Sequence, residues 1–266
     1  MTVLGRRQRS RFIPADPLAV LDGGRPSRYV SGERLEEGLV ISLDGIGGYN
    51  WLPRLMRRGL DRGGVRAAIV IYHWSVGPLG LWVTDLFAAD RNRAVAADLA
   101  QAIAAYRDRF PDRPVTLIGH SGGGALAAWA LEALPDGCQV DRALLLAPAL
   151  SPRYNLAPAV RGVRDRLFVS HSWGDFALMG LGTMLFGTID RRHTPSAGWV
   201  GLRLPRALSP DDRQAYGKVR RIRWHPRMIA DGHIGDHVGW TVPRFARRFL
   251  APIVLGRSDP GRPLVP

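Results

Sequence analysis

Val115-Thr116-Leu117-Ile118-Gly119-His120-Ser121-Gly122-Gly123-Gly124-Ala125 is the stretch on which the reading of the chain turns. An apolar run meets a glycine-flanked serine and passes at once into an Ala/Leu-rich segment, the pattern of strand, sharp turn and helix. A turn that tight forces its central residue into a strained backbone conformation. The positions two before and two after must then be small, so that strand and helix can cross closely. Here both are glycine, Gly119 and Gly123. The strain lifts the Ser121 hydroxyl clear of the sheet edge and sets the Gly122 N–H at the positive end of the new helix. The same residues also suit a plain glycine-rich strand-to-helix turn, so the surrounding chain must decide.

Working outward, the segments on both sides alternate. Gly38-Leu39-Val40-Ile41-Ser42-Leu43 reads as a strand that ends abruptly in Asp44-Gly45-Ile46-Gly47-Gly48. A short helix over Leu52–Gly59 and a buried strand over Ala67–Tyr72 follow. From Asp90 to Phe110, Val95, Leu99, Ala102, Ile103, Tyr106 and Phe110 recur at helical spacing, and Pro111 and Pro114 end that helix just before the strand into Ser121. Beyond the turn come a helix ending at Pro135-Asp136-Gly137, strands at Ala143–Ala147 and Arg166–His171, a glycine-rich apolar stretch over 176–216, a strand at Val219–Trp224 and a last helix near Thr241. Strand and helix alternate throughout, which predicts an α/β fold with a mostly parallel central sheet and helices on both faces. The expected organisation is an N-terminal extension over 1–37 with possible edge strands, one domain over 38–256 and a loose tail over 257–266.

Composition narrows the class. At 266 residues, with 46% hydrophobic and 23% charged residues, the chain has the makings of one globular domain, and no apolar run reaches membrane-spanning length. No secretory signal is visible behind the N-terminal arginines, so the expected location is cytoplasmic. Cys138 is the single cysteine, which excludes an internal disulfide and a thiolate zinc site. The net charge of +14 is carried almost wholly by arginine, Lys218 being the one lysine. These arginines are scattered rather than clustered with aromatics, so nucleic acid is not an expected partner, whereas peripheral contact with an anionic membrane is possible. Arg57-Arg58, Arg191-Arg192 and Arg220-Arg221 read as solvated faces.

A serine hydroxyl is a weak nucleophile near neutrality and needs a base, which in turn needs a carboxylate to fix its tautomer. Asp175 lies just past the strand ending near His171, and His237 lies between the last strand and the last helix. Residues placed after the ends of parallel strands converge at one edge of a sheet. Ser121, Asp175 and His237 are therefore the expected catalytic set, with His233 the alternative base and Asp190 or Asp231 alternative carboxylates. The His233-x-x-x-His237 spacing also occurs in zinc sites, but Gly232 and Gly235 oppose the helix such a site needs, so neither metal nor cofactor is expected. His73, His171, His193 and His225 read as packing or surface histidines. Phe176, Met179, Leu181 and Trp199 either form an acyl pocket over the site or pack a small subdomain. Trp74 and Trp82 either line the pocket mouth or pack beneath it.

In motifs, order and spacing, from about Leu39 to Ile253, the chain resembles the α/β-hydrolase fold family. The resemblance implies a serine esterase or lipase-like activity, and the short segment between the strands at Ala143–Ala147 and Arg166–His171 leaves no room for a large lid domain. It also implies that the Asp44-Gly45-Ile46-Gly47 turn is the oxyanion loop, with Ile46 and Gly122 giving the two N–H groups. The family usually has histidine where this chain has Asp44, and its catalytic histidine is followed closely by a proline opening the final helix, here Pro243. The expected function is a serine hydrolase that cleaves a small-molecule carboxylic ester or thioester through an acyl-enzyme on Ser121. Alternatives are an acyltransferase using the same residues and a non-catalytic binding protein of the same fold. A dinucleotide-binding oxidoreductase is disfavoured, because Gly119–Gly124 does not spell G-x-G-x-x-G.

Overall fold

The computed structural model describes residues 27–48, 50–77 and 82–265. Most of the expected N-terminal extension lies outside them. Its described part forms a bridge between Ser27 and Val30 and a short helix, α1 (Gly32–Glu37), rather than a full edge strand. Tyr29 nevertheless accepts one edge hydrogen bond from the Ile69 N–H.

The element order is β1 (Leu39–Leu43), α2 (Trp51–Arg62), β2 (Ala68–Tyr72), α3 (Trp82–Phe87), α4 (Ala89–Arg109), β3 (Val115–His120), α5 (Gly122–Glu132), β4 (Val140–Leu146), α6 (Ala157–Arg161) and β5 (Val163–His171). After a π-helical turn at Phe176–Gly182 come α7 (Thr183–Phe186), α8 (Ala197–Val200), α9 (Pro210–Ala215) and β6 (Val219–Arg223). The chain closes with α10 (Pro243–Phe245), a second π-helical turn, α11 (Ala251–Val254) and β7 (Arg262–Pro263). Strands lie in the order β2-β1-β3-β4-β5-β6-β7, parallel except for the β6–β7 pair. The tail is thus not loose: β7 pairs with the open edge of β6, and Asp259 forms ion pairs with Arg166 and Arg220.

The period of two along each strand fills two cores. Leu39, Ile41 and Leu43 of β1 point to one face with Val70 and Leu117, while Val40 points to the other with Ile69 and Ile118. Helices α4, α5 and α6 cover the first face, and α2 with the C-terminal helix covers the second. Both faces being buried explains why these strands read as unbroken apolar runs. Parallel pairing also points the exits of β1 to β6 toward one end of the sheet, and the candidate site residues follow those exits.

The strand-to-helix crossing is set by backbone contact. A Cβ on Gly119 would stand 2.2 Å from the Gly123 carbonyl oxygen, and one on Gly123 would stand 2.2 Å from the Asp44 carbonyl oxygen. These approaches are below any tolerable separation, and their partners are main chain that cannot swing aside. Gly123→Ala is therefore expected to lose more than about 2 kcal/mol of stability. Gly217→Ala, whose Cβ meets nothing within 4 Å, is expected to lose less than about 0.5 kcal/mol. Urea denaturation of the two variants reads the difference, and equal midpoints would contradict the crossing.

Candidate active site

Ser121 joins β3 to α5 at φ 56° and ψ −121°, a conformation that costs about 1–3 kcal/mol for a residue with a side chain. Three hydrogen bonds hold it there. Its N–H donates to the Leu146 carbonyl at 2.9 Å, and its own carbonyl accepts from the N–H groups of Gly124 and Ala149, each at 3.0 Å. The loop after β1 crosses over this turn: a Cβ on Gly45 would lie 3.1 Å from the Ser121 Cβ, and one on Gly122 would lie 3.4 Å from the Ile46 nitrogen. The main chain at Ile46 is consequently close to Gly122, beside the serine.

Asp44 is buried in that loop. Its Oδ1 accepts the Gly45 N–H at 2.8 Å, and its carbonyl accepts the Trp74 indole N–H at 2.7 Å. Burial raises its carboxyl above the ordinary range, partly offset by its hydrogen bonds with the backbone and by nearby His237. Trp74 therefore packs beneath the loop instead of rimming a pocket. The Gly47 N–H donates to Asp85, which also accepts from Ser75 and from the Val76 N–H at 2.9 Å. Asp85 was not among the residues singled out from sequence, although a lone carboxylate inside the apolar run 81–87 is a readable signal for a buried polar anchor.

Asp175 and His237 are 62 residues apart and meet directly, with His237 Nδ1 and Asp175 Oδ2 at 2.5 Å. Their loops are pressed together main chain to main chain. A Cβ on Gly174 would come within 2.6 Å of the Gly235 carbonyl oxygen, and Ser172 Oγ donates to that same oxygen at 2.5 Å. The alternatives sit elsewhere. Asp190 accepts from the Ser151 N–H and hydroxyl, and Asp231 pairs with Arg248 at 3.1 Å. His233 is fully buried against Trp240 and Phe245, with ring centroids 4.2 and 5.1 Å away, and its Nδ1 accepts the Gly235 N–H at 3.2 Å. It is a scaffold for the loop that carries His237. No cluster of three or more potential metal-ligating side chains occurs among the described residues.

His120 is the residue sequence reasoning passed over. It is buried, packs against the His237 ring at 4.5 Å between centroids with the planes tilted by 44°, and donates from Nε2 to the His237 carbonyl at 2.9 Å. A carbonyl only accepts, so the single proton of neutral His120 resides on Nε2. The signal available was its place beside the serine at the end of an otherwise apolar strand.

Ser121, His237, His120 and Asp44 line one cavity of about 340 Å³. Its apolar wall comes from Ile46, Trp51, Leu52 and Leu86 and from the segment after β5, through Leu178, Met179 and Phe186. That segment therefore covers the site in part. Of the four residues weighed between pocket and packing, Met179 lines the cavity, Phe176 and Trp199 pack on each other with centroids 5.5 Å apart, and Leu181 stands exposed outside the cavity wall. Trp82 gives α3 its first residue.

A family model described as serine aminopeptidase S33 matches residues 87–179, a span that includes Ser121 and Asp175 and ends before His237. No curated protein matches the chain. Among solved structures, lipase B from Aspergillus fumigatus superposes with a TM-score of 0.52 at 14% identity, over 93% of this chain and 58% of that one. A Pyrococcus furiosus esterase gives 0.47 at 12% identity over 83% of each chain. A dienelactone hydrolase-like phosphotriesterase from metagenomic libraries gives 0.49 at 16% identity, over 86% of this chain and 89% of that one.

Burial, as the leading cause, pushes His120 and His233 down to about 3 and His171 down to about 4, from 6.5. The unfolded chain binds protons at these sites below about pH 6.5 and the folded chain does not, so the stability they contribute is complete above that pH and lost as it falls. Each can remove up to about 1.4 kcal/mol per pH unit. The urea midpoint is expected to fall steadily from about pH 7 to about pH 5, and a flat midpoint would contradict the buried neutral state. The sheet order, the strained serine turn and the likeness to the lipase together show that the chain has the α/β-hydrolase fold.

Proposed function

We propose that the chain is a serine hydrolase that cleaves a carboxylic ester or thioester through an acyl-enzyme on Ser121. The observation that carries this reading is the 2.5 Å contact of Asp175 with His237 at a cavity whose wall also holds the strained Ser121.

In this reading Ser121 Oγ attacks the acyl carbonyl carbon while His237 Nε2 takes the hydroxyl proton. Asp175 accepts from His237 Nδ1, which leaves Nε2 free as the base and stabilises the imidazolium that forms. The carbonyl oxygen gains negative charge and is met by the N–H groups of Ile46 and Gly122, already held in place by the crossing of loop and turn. Collapse of the intermediate breaks the bond to the alcohol or thiol, which leaves with the proton from His237. Water, deprotonated by His237, then attacks the acyl-Ser121 carbonyl and releases the carboxylic acid. Asp44 holds the oxyanion loop through Gly45 N–H in place of the family's usual histidine. His120 acts as a positioning residue, fixing the backbone of His237 through its carbonyl.

The apolar wall and modest volume favour an aliphatic acyl chain over a charged one. With nitrophenyl esters of increasing chain length, Ser121→Ala and His237→Ala are expected to lose at least about a thousandfold in kcat, and Asp175→Asn at least about a hundredfold. Circular dichroism checks that each variant is folded. Undiminished turnover in folded Ser121→Ala would contradict the proposal.

A further inference from the structure

Among the described residues, every large apolar side chain that stands exposed lies in the stretch that follows the carboxyl end of a strand and precedes the body of the helix returning from it. Trp51 follows β1, Val76 and Phe87 follow β2, and Ile229, Ile234 and Val238 follow β6. The densest group follows β5, where Trp173 and Phe176 lead into Leu181, Met184 and Leu185, the last of these 69% exposed. The opposite end of the sheet and the outer helix faces carry none among the described residues. A soluble surface scatters such residues singly, so their collection at one end, around the cavity that holds Ser121, marks a docking face.

Charge identifies what covers it. Arg191 stacks on Phe87 with its guanidinium carbon 5.4 Å from the ring centroid, and exposed Arg192 follows it. On the other flank Trp173 shares a surface groove with Arg221, Arg223 and Arg262. Of the neighbouring carboxylates, Asp175 is buried on His237 and Asp231 is paired with Arg248, which leaves Asp190 and Asp236 as two negative charges against the five positive ones of Arg191, Arg192, Arg221, Arg223 and Arg262. An apolar centre between arginine flanks, on a chain of net charge +14, matches the acyl layer and anionic headgroups of a lipid surface. A second copy of the chain would set arginine against arginine.

We propose that this end of the molecule docks on an anionic lipid surface, seating Leu181, Met184 and Leu185 in the apolar layer with the cavity mouth opening toward it. The inference deepens the hydrolase reading, on which it rests for the role of the cavity, by making lipid-borne acyl esters the substrate class.

The test is sedimentation of the full chain with vesicles of phosphatidylcholine alone or mixed in equal parts with phosphatidylglycerol, at about 0.1 M salt. The anionic vesicles are expected to bind at least about tenfold more tightly than the neutral ones, and less tightly as salt is raised. The L181S/M184S/L185S variant is expected to lose at least about tenfold in affinity for anionic vesicles while hydrolysing a soluble short-chain ester like the unmodified chain. Absence of binding to anionic vesicles, equal binding by the triple variant, or a stable dimer that the triple substitution dissociates without any vesicle binding would overturn it. Vesicle binding retained in Ser121→Ala, together with no ester turnover by the unmodified chain, would overturn the hydrolase reading and leave the docking face standing.

Discussion

The structure depends on a place where three stretches of main chain touch with no side chain between them. Gly119, Gly123 and the Asp44 carbonyl meet at separations that a single methyl group would abolish. That contact lets α5 start directly over the end of β3, and the direct start is what drives Ser121 to φ 56°. The strain persists because the surrounding sheet over-determines it, through hydrogen bonds to Leu146, Gly124 and Ala149. The same contact brings the loop after β1 against the turn, with the main chain at Ile46 close to Gly122.

A second main-chain contact does similar work at the far side of the site. Gly174 against Gly235 ties the loop after β5 to the loop after β6, and the Asp175–His237 hydrogen bond follows from it. Two histidines with low affinity for protons stiffen this arrangement from opposite sides. His233 packs among aromatics behind the loop, and His120 reaches from the turn itself to the His237 carbonyl. Because both stay neutral, they add hydrogen bonds and packing to the site without adding charge next to His237. Serine turn and histidine loop are thus mechanically joined through His120.

Much of this was legible in the sequence because the signals are local. Strands buried on both faces must be continuous apolar runs, and the glycines at 119 and 123 are demanded by crossing geometry, so strand order along the chain and the position of the turn could be read directly. The convergence of Asp175 and His237 was legible as order along the chain, since parallel strands share an exit end. What was hidden depended on partners distant in sequence. His120 looks like one more residue of β3 until the loop 117 residues away closes over it, and His233, whose Nδ1 partner Gly235 is only two residues on, is buried by Trp240 and Phe245 from beyond its own loop. The tail was read as loose because two residues, Arg262 and Pro263, give no strand pattern of their own; the open edge of β6 and the ion pairs of Asp259 supply the order. The segment after β5 was ambiguous for a related reason. Its apolar residues divide between the cavity wall and the surface, and composition alone does not apportion them.

The central claim is that the strained turn presents Ser121 as a nucleophile activated by the His237–Asp175 pair. Incubating the folded chain with a fluorophosphonate probe and mapping the modified peptide by mass spectrometry tests it most directly. The account predicts one phosphonylated residue, Ser121, with labelling abolished in Ser121→Ala and strongly slowed in His237→Ala. Labelling at another serine, or none on protein shown to be folded, would contradict it.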